Sequence, residues 1–119
     1  MRIDTLSLGA ILDVDGTLAR FGGDQKLFQD IIGFFVEDAP PLLDELRSAV
    51  ALEDCPAIRA KAHALKGLAA GCGGIRAAQA AQRVETAGAE GDLENIESQM
   101  ESVEGEFEQL RRAIAAHGA

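Results

Sequence analysis

Four stretches of this chain repeat apolar residues in steps of three and four, a period that dictates packed helices. The clearest runs through Leu93, Ile96, Met100, Val103, Phe107, Leu110 and Ile114. A second follows Ile58, Ala62, Leu65, Ala69 and Cys72. A longer stripe occupies 24–53, with Leu27, Phe28, Ile31, Ile32, Phe35, Ala39, Leu42, Leu43, Leu46 and Val50. The fourth, over 75–87, turns Ile75, Ala78, Ala81 and Val84 inward. Pro40-Pro41 interrupts the long stripe and removes two ladder N–H groups, so a kink or break is expected; the phase kept across it favours a kink. Gly22-Gly23, Gly73-Gly74 and the pair Gly88 and Gly91 punctuate the helices. Asp24 and Asp92 stand as N-caps, and Cys55-Pro56 opens the helix that follows it.

Long amphipathic helices joined by short turns specify an all-α chain, an antiparallel four-helix bundle with one or two short extra N-terminal helices. At 119 residues it reads as a single domain, 1–119, with 1–10 an arm or short helix and 11–117 the bundle. Trp and Tyr are absent, so the core falls to aliphatic residues, Ala and five Phe. A net charge of −9 argues against nucleic acid and anionic membranes as partners. No apolar run reaches the roughly 18 residues a spanning helix needs, and the N-terminus lacks a signal-peptide pattern, so a cytoplasmic protein is expected. Cys55 and Cys72 read as buried thiols, and no Cys/His spacing suits a metal.

Two short motifs compete to carry chemistry. ILDVDGTL, residues 11–18, has the Asp-x-Asp-Gly-Thr form of a haloacid-dehalogenase-like phosphohydrolase, with Asp13 as nucleophile and Asp15 as acid/base. That chemistry needs a parallel sheet and further catalytic segments, which the helical period after residue 24 denies. The alternative makes the stretch a helix entry, Asp13 or Asp15 capping GTLARF and Leu18 packing it on the bundle.

The second motif is AHALKGLAAGCGG, residues 62–74. On a helix, His63 falls roughly 140° from the buried seam and Lys66 near 80° on the same side. Arg59 supplies a cation one turn earlier. Ala64, Gly67, Ala70 and Gly71 leave the imidazole standing clear. Gly67 costs a helix interior about 1 kcal/mol relative to Ala. Either another molecule approaches closely here or a neighbouring helix packs here. A solvent-facing imidazole is largely neutral and nucleophilic at pH 7 and can take up a phosphoryl group. Lys66, at i+3, can offset the charge thus attached. His117, in the C-terminal AAHGA, has no such surroundings and is assigned nothing.

His63-Ala-Leu65-Lys66-Gly67 followed by Gly73 resembles the core of the histidine-containing phosphotransfer family of phosphorelays. Leu18 to Asp24 with Leu27, then Phe35, Asp38 to Pro40, Leu42-Leu43 and Leu46, are similar to its first two helices, and Val84-Glu85 and Gly91 to Leu93 to its later ones. The likeness spans roughly 11–115. It implies a phosphocarrier without independent turnover. His63 would accept a phosphoryl group from a receiver-domain phospho-aspartate, the receiver of a hybrid sensor kinase being one candidate donor, and pass it to another receiver aspartate. Lys66 would compensate the phosphate charge, Gly67 give steric access and Glu85 orient the imidazole. Arg59, Ala64, Leu68, Ala70 and Gly71 would form the docking face. No cofactor is implied, because the receiver brings the Mg²⁺, and the carrier is expected to be a monomer. Leu68 and Gly71 depart from the family, which often has Ser or Ala and Asn there, so a hydroxyl that could bond the phosphoryl is missing. A degenerate relative that binds partners without carrying phosphate is the other reading of the same bundle.

Overall fold

The computed structural model describes residues 11–117. Five helices follow in order: α1 (Val14–Arg20), α2 (Gln25–Ala51), α3 (Cys55–Gly71), α4 (Ile75–Glu90) and α5 (Ile96–Ala116). No strand occurs among the described residues. The last four pack in a ring, α2 on α3, α3 on α4, α4 on α5 and α5 back on α2, with α1 against α2. The expected bundle is present, with one short helix before it; the segment 1–10 lies outside the described residues.

Capping explains where most helices start. Asp24 accepts from the Leu27 N–H at 3.0 Å, and Asp54, ahead of Cys55-Pro56, accepts from the Ala57 N–H at 3.2 Å. Each satisfies a backbone donor that the first helical turn leaves orphaned. Asp92 does not cap α5. Its carboxylate accepts from the Glu94 N–H at 3.3 Å, holding a turn, and α5 starts at Ile96. The chain after Gly91 spends those residues reversing direction before the helix can begin.

Of the two outcomes expected at the prolines the break is excluded, and two other expectations shift. α2 runs unbroken through Pro40 and Pro41. The carbonyls that lose their donors belong to Val36 and Glu37, both exposed, so water can take the place of the missing N–H groups. α4 does not stop before Gly88 but continues to Glu90. Gly88 is a contact point: a Cβ there would come 2.8 Å from the Arg59 nitrogen and 3.0 Å from the Cys55 carbonyl oxygen, at the start of α3. α4 is also turned relative to its expected seam, burying Ala77, Ala80, Ala81, Val84, Ala87 and Gly88 and leaving Ile75 exposed. A face of alanines and one glycine lets α4 approach α3 closely, which a face with Ile75 in its centre would not.

The core follows the remaining stripes closely. Phe28, Ile32, Phe35, Leu46, Ile58, Leu65, Met100, Val103, Phe107, Leu110 and Ile114 are buried, Phe35 stacks on Phe107 at 5.8 Å, and Leu27 sits at the exposed edge. Both thiols are free. Cys72 is buried as expected and its thiol is pushed up to about 11 by burial, while Cys55 is only half-buried. Arg47 of α2 bonds Glu97 and Glu104 of α5, which holds its guanidinium firmly protonated.

Candidate functional site

α1 docks on the turn between α3 and α4. Asp13 wins the competition for the cap: its carboxylate accepts from the Gly16 N–H at 3.0 Å. Its backbone N–H donates to the Gly73 carbonyl at 2.9 Å. Thr17, almost fully buried, donates to the Asp13 carbonyl at 2.6 Å. Leu18 packs against the core, as expected. Asp15 is exposed in the first helical turn. The two carboxylates thus do different work, and the helical surroundings exclude the hydrolase reading of residues 11–18.

The Gly73 turn that α1 grips closes α3, the helix that carries His63. The seam Ile58, Ala62, Leu65 and Ala69 is fully buried, which rotates His63 outward to 69% side-chain exposure. Its Nδ1 lies 3.0 Å from Glu85 Oε2 of α4. The other oxygen of that carboxylate, Oε1, lies 2.7 Å from Lys66 Nζ, an ion pair whose angle falls outside hydrogen-bond geometry. Glu85 is 15% exposed. Lys66 first, and His63 after it, hold its carboxyl below the usual carboxylate range against the opposing effect of burial.

The Glu85 contact has a consequence for the ring. An ionised carboxylate only accepts, so Nδ1 carries the proton in the neutral imidazole. The lone pair then sits on Nε2. His63, Glu85, Arg59, Pro56 and Ala60 line one shallow depression at this surface.

Gly67 can now be explained. A Cβ there would meet nothing within 4 Å, so no neighbouring helix requires the glycine. Helix packing is thereby removed from the two reasons its presence suggested. Arg59 and Ala70 are exposed, Ala64 and Gly71 are half-buried, and Gly71 faces Ile31 of α2 with room for a methyl at 3.6 Å. Leu68 is less available than the docking role assumes, being half-buried against the core. His117 ends α5 with its ring edge-on to Phe28 at 6.2 Å, away from this site.

Two residues at the site escaped the sequence. Gln82 of α4 accepts from Lys66 Nζ at 3.0 Å and donates through Nε2 to Thr86 Oγ1 at 3.0 Å. Its only signal was its place one turn before Glu85 on the same helix face. Arg20 of α1 donates to the Ala70 carbonyl at 3.1 Å, adding a cation on the stripe of His63, Gly67 and Ala70. Among the described residues no cluster of three or more His, Cys, Asp or Glu could hold a metal ion, and no helix is long and apolar enough to cross a membrane.

The family model described as Hpt domain matches residues 30–114. No curated protein matches the sequence. The solved structure of histidine-containing phosphotransfer protein B from Pseudomonas aeruginosa is similar, with a TM-score of 0.78 and 27% identity, over 90% of this chain and 93% of that one.

Proposed function

The chain belongs to the Hpt domain family, and on that premise we propose that His63 is the side chain through which it carries phosphoryl groups. Its role is histidine phosphotransfer in a phosphorelay. One observation supports His63 above all: Glu85 takes the Nδ1 side of the ring and the Lys66 ammonium together, leaving an exposed imidazole with Nε2 as its free nucleophile.

The transfer runs as follows. The Nε2 lone pair attacks phosphorus, the bond from phosphorus to the donor aspartate oxygen breaks, and the carboxylate leaves with the electron pair. The ring keeps its Nδ1 proton and becomes an imidazolium, whose charge lies against the Glu85 carboxylate. In the onward step the Nε2–phosphorus bond breaks, the pair returns to nitrogen, and an acceptor aspartate oxygen takes the phosphoryl. The leaving group is then a neutral imidazole, and no proton has to arrive from solvent. His63 exchanges the group but has no second catalytic set, so the protein is read as a carrier without turnover of its own. The donor and acceptor are read as receiver domains that bring the Mg²⁺, meeting a cytoplasmic, monomeric carrier folded as one domain with no resident cofactor. The docking face is read as Arg59, Ala64, Ala70 and Gly71 with the exposed side of Leu68, and Gly67 as the gap that lets the receiver reach the imidazole.

Gly67→Ala separates access from folding. Replacing an exposed mid-helix glycine whose Cβ meets nothing stabilises α3 by up to about 1 kcal/mol. The new methyl stands one turn from His63, where a receiver must approach. We expect a raised thermal midpoint together with slower transfer from a phosphorylated receiver. Unchanged transfer would remove Gly67 from the docking face.

Glu85 predicts a pH dependence. Its folded pKa is depressed, so its contribution to stability is present above the unfolded carboxylate value of 4.5 and fades as pH falls through the lower folded value. Glu85→Gln therefore destabilises the protein at pH 7, by about 1 kcal/mol or less for a surface cluster whose His63 end stands in solvent. The gap between the two proteins closes below pH 4.5. Urea titrations at a series of pH values measure it; a gap independent of pH would contradict the ion-pair role.

A further inference from the structure

Lys66 is the obvious cation for a phosphoryl group on His63, yet in this structure it is occupied elsewhere. Its ammonium contacts Glu85 Oε1 at 2.7 Å and Gln82 Oε1 at 3.0 Å. Glu85 is the same carboxylate that holds His63 Nδ1, so the ammonium is tied to the partner of Nδ1 and not to Nε2. Gln82 is itself fixed: with Nε2 donating to Thr86 Oγ1, its amide oxygen is the end that faces Lys66. Thr86, Gln82, Lys66, Glu85 and His63 form one chain of polar contacts across α3 and α4.

We infer that Gln82 is a positioning residue for phosphotransfer: it holds Lys66 on the Glu85 side of the imidazole and so sets the cost of moving that cation to a phosphoryl group on Nε2. The inference rests on the assignment of His63 as the acceptor. A phosphoryl group brings a charge of about −1.5 to −2. Glu85, shared with the imidazole, is one group that competes with it for the ammonium. The bond to Gln82 is what Lys66 must give up in addition. Breaking it belongs to the phosphorylated state, so removing Gln82 favours that state.

A small phosphoryl donor tests this without any receiver. Phosphoramidate transfers its phosphoryl to Nε2 as its own phosphorus–nitrogen bond breaks and ammonia leaves, so the plateau of phosphorylated protein at fixed phosphoramidate and ammonia concentrations reports the equilibrium. Gln82→Ala should raise the ratio of phosphorylated to free protein by about threefold to tenfold, the worth of one partly exposed hydrogen bond to a charged group. Gln82→Glu should lower the ratio, since a carboxylate holds the ammonium harder. In a Lys66→Ala background Gln82→Ala should have no effect, because the path through Lys66 is gone. A merely structural role for Gln82 would give the same change with or without Lys66. An unchanged or lowered ratio in Gln82→Ala, or a change that survives the loss of Lys66, would overturn the inference. If wild-type protein takes no label on His63, the acceptor assignment itself fails, and the two failures are thereby distinct.

Discussion

His63→Gln is expected to abolish phosphoryl labelling of this protein. Incubated with a phosphorylated receiver domain, the wild-type chain should gain an acid-labile label as the receiver loses it, and the variant should gain none. Glutamine keeps a polar side chain of similar reach but offers only amide nitrogen, whose lone pair is delocalised into its carbonyl, so no phosphorus–nitrogen bond forms. The side chain is 69% exposed and sits outside the core, so stability should change by no more than about 0.5 kcal/mol. Loss of label with an unchanged thermal midpoint therefore isolates chemistry from folding. Asp13→Asn is the matched control. It weakens the cap on Gly16 but leaves His63 intact, so labelling persists. Label retained in His63→Gln, or lost in Asp13→Asn while the fold survives, would return the search for the acceptor to the rest of the chain. A bundle that binds receivers without carrying phosphate gives no label in either protein.

How much of this could be read from the sequence depended on whether a residue's role lay along the helix or across it. His63, Lys66 and the buried seam of α3 follow from one angular period, because a single helix fixes their relative directions. Asp13 and Asp15 cannot be separated that way. Both stand at the entry of a short helix, and it is the helix starting at Val14, with the Asp13 carboxylate on the Gly16 N–H, that decides between them, while the Asp13 N–H is tied to Gly73, sixty residues later. Gly88 misled for a related reason. Glycine near the end of a helical pattern signals a stop, yet here it answers a close approach of α3 that lies outside its own helix. Gln82 had no sequence signal of its own, since an exposed amide on a polar face looks like any solvated side chain until Lys66 and Thr86 are found on either side of it. Glu85 entered only through family resemblance, and the geometry brings it to both partners at once.

Gly73→Ala should be the most destabilising single-methyl change near the site, and two independent effects combine in it. Gly73 has φ +88, a left-handed conformation that costs a residue with a Cβ about 1–3 kcal/mol. The added Cβ would also overlap Thr17 Oγ1 and come 2.6 Å from the Asp13 carbonyl oxygen. The second contact is with backbone, which a change of rotamer does not relieve. Overpacking of this kind adds about 1–3 kcal/mol. The combined loss of about 3 kcal/mol or more should lower the thermal midpoint by about 10 °C or more for a domain of this length. Gly22→Ala separates the two effects, since Gly22 has φ +65 but nothing within 4 Å of its Cβ, and it should show the backbone cost alone. Thr17→Ala in the Gly73→Ala background should recover only part of the loss, because the Asp13 carbonyl stays where it is. Equal destabilisation by Gly22→Ala and Gly73→Ala would mean that α1 does not press on the α3–α4 turn. If it does, the helix entry at residues 11–18 and the helix carrying His63 are mechanically one unit. Gly73→Ala then loosens the C-terminal end of α3 first, so amide exchange should rise at 70–74 before it rises at the buried seam around Ile58.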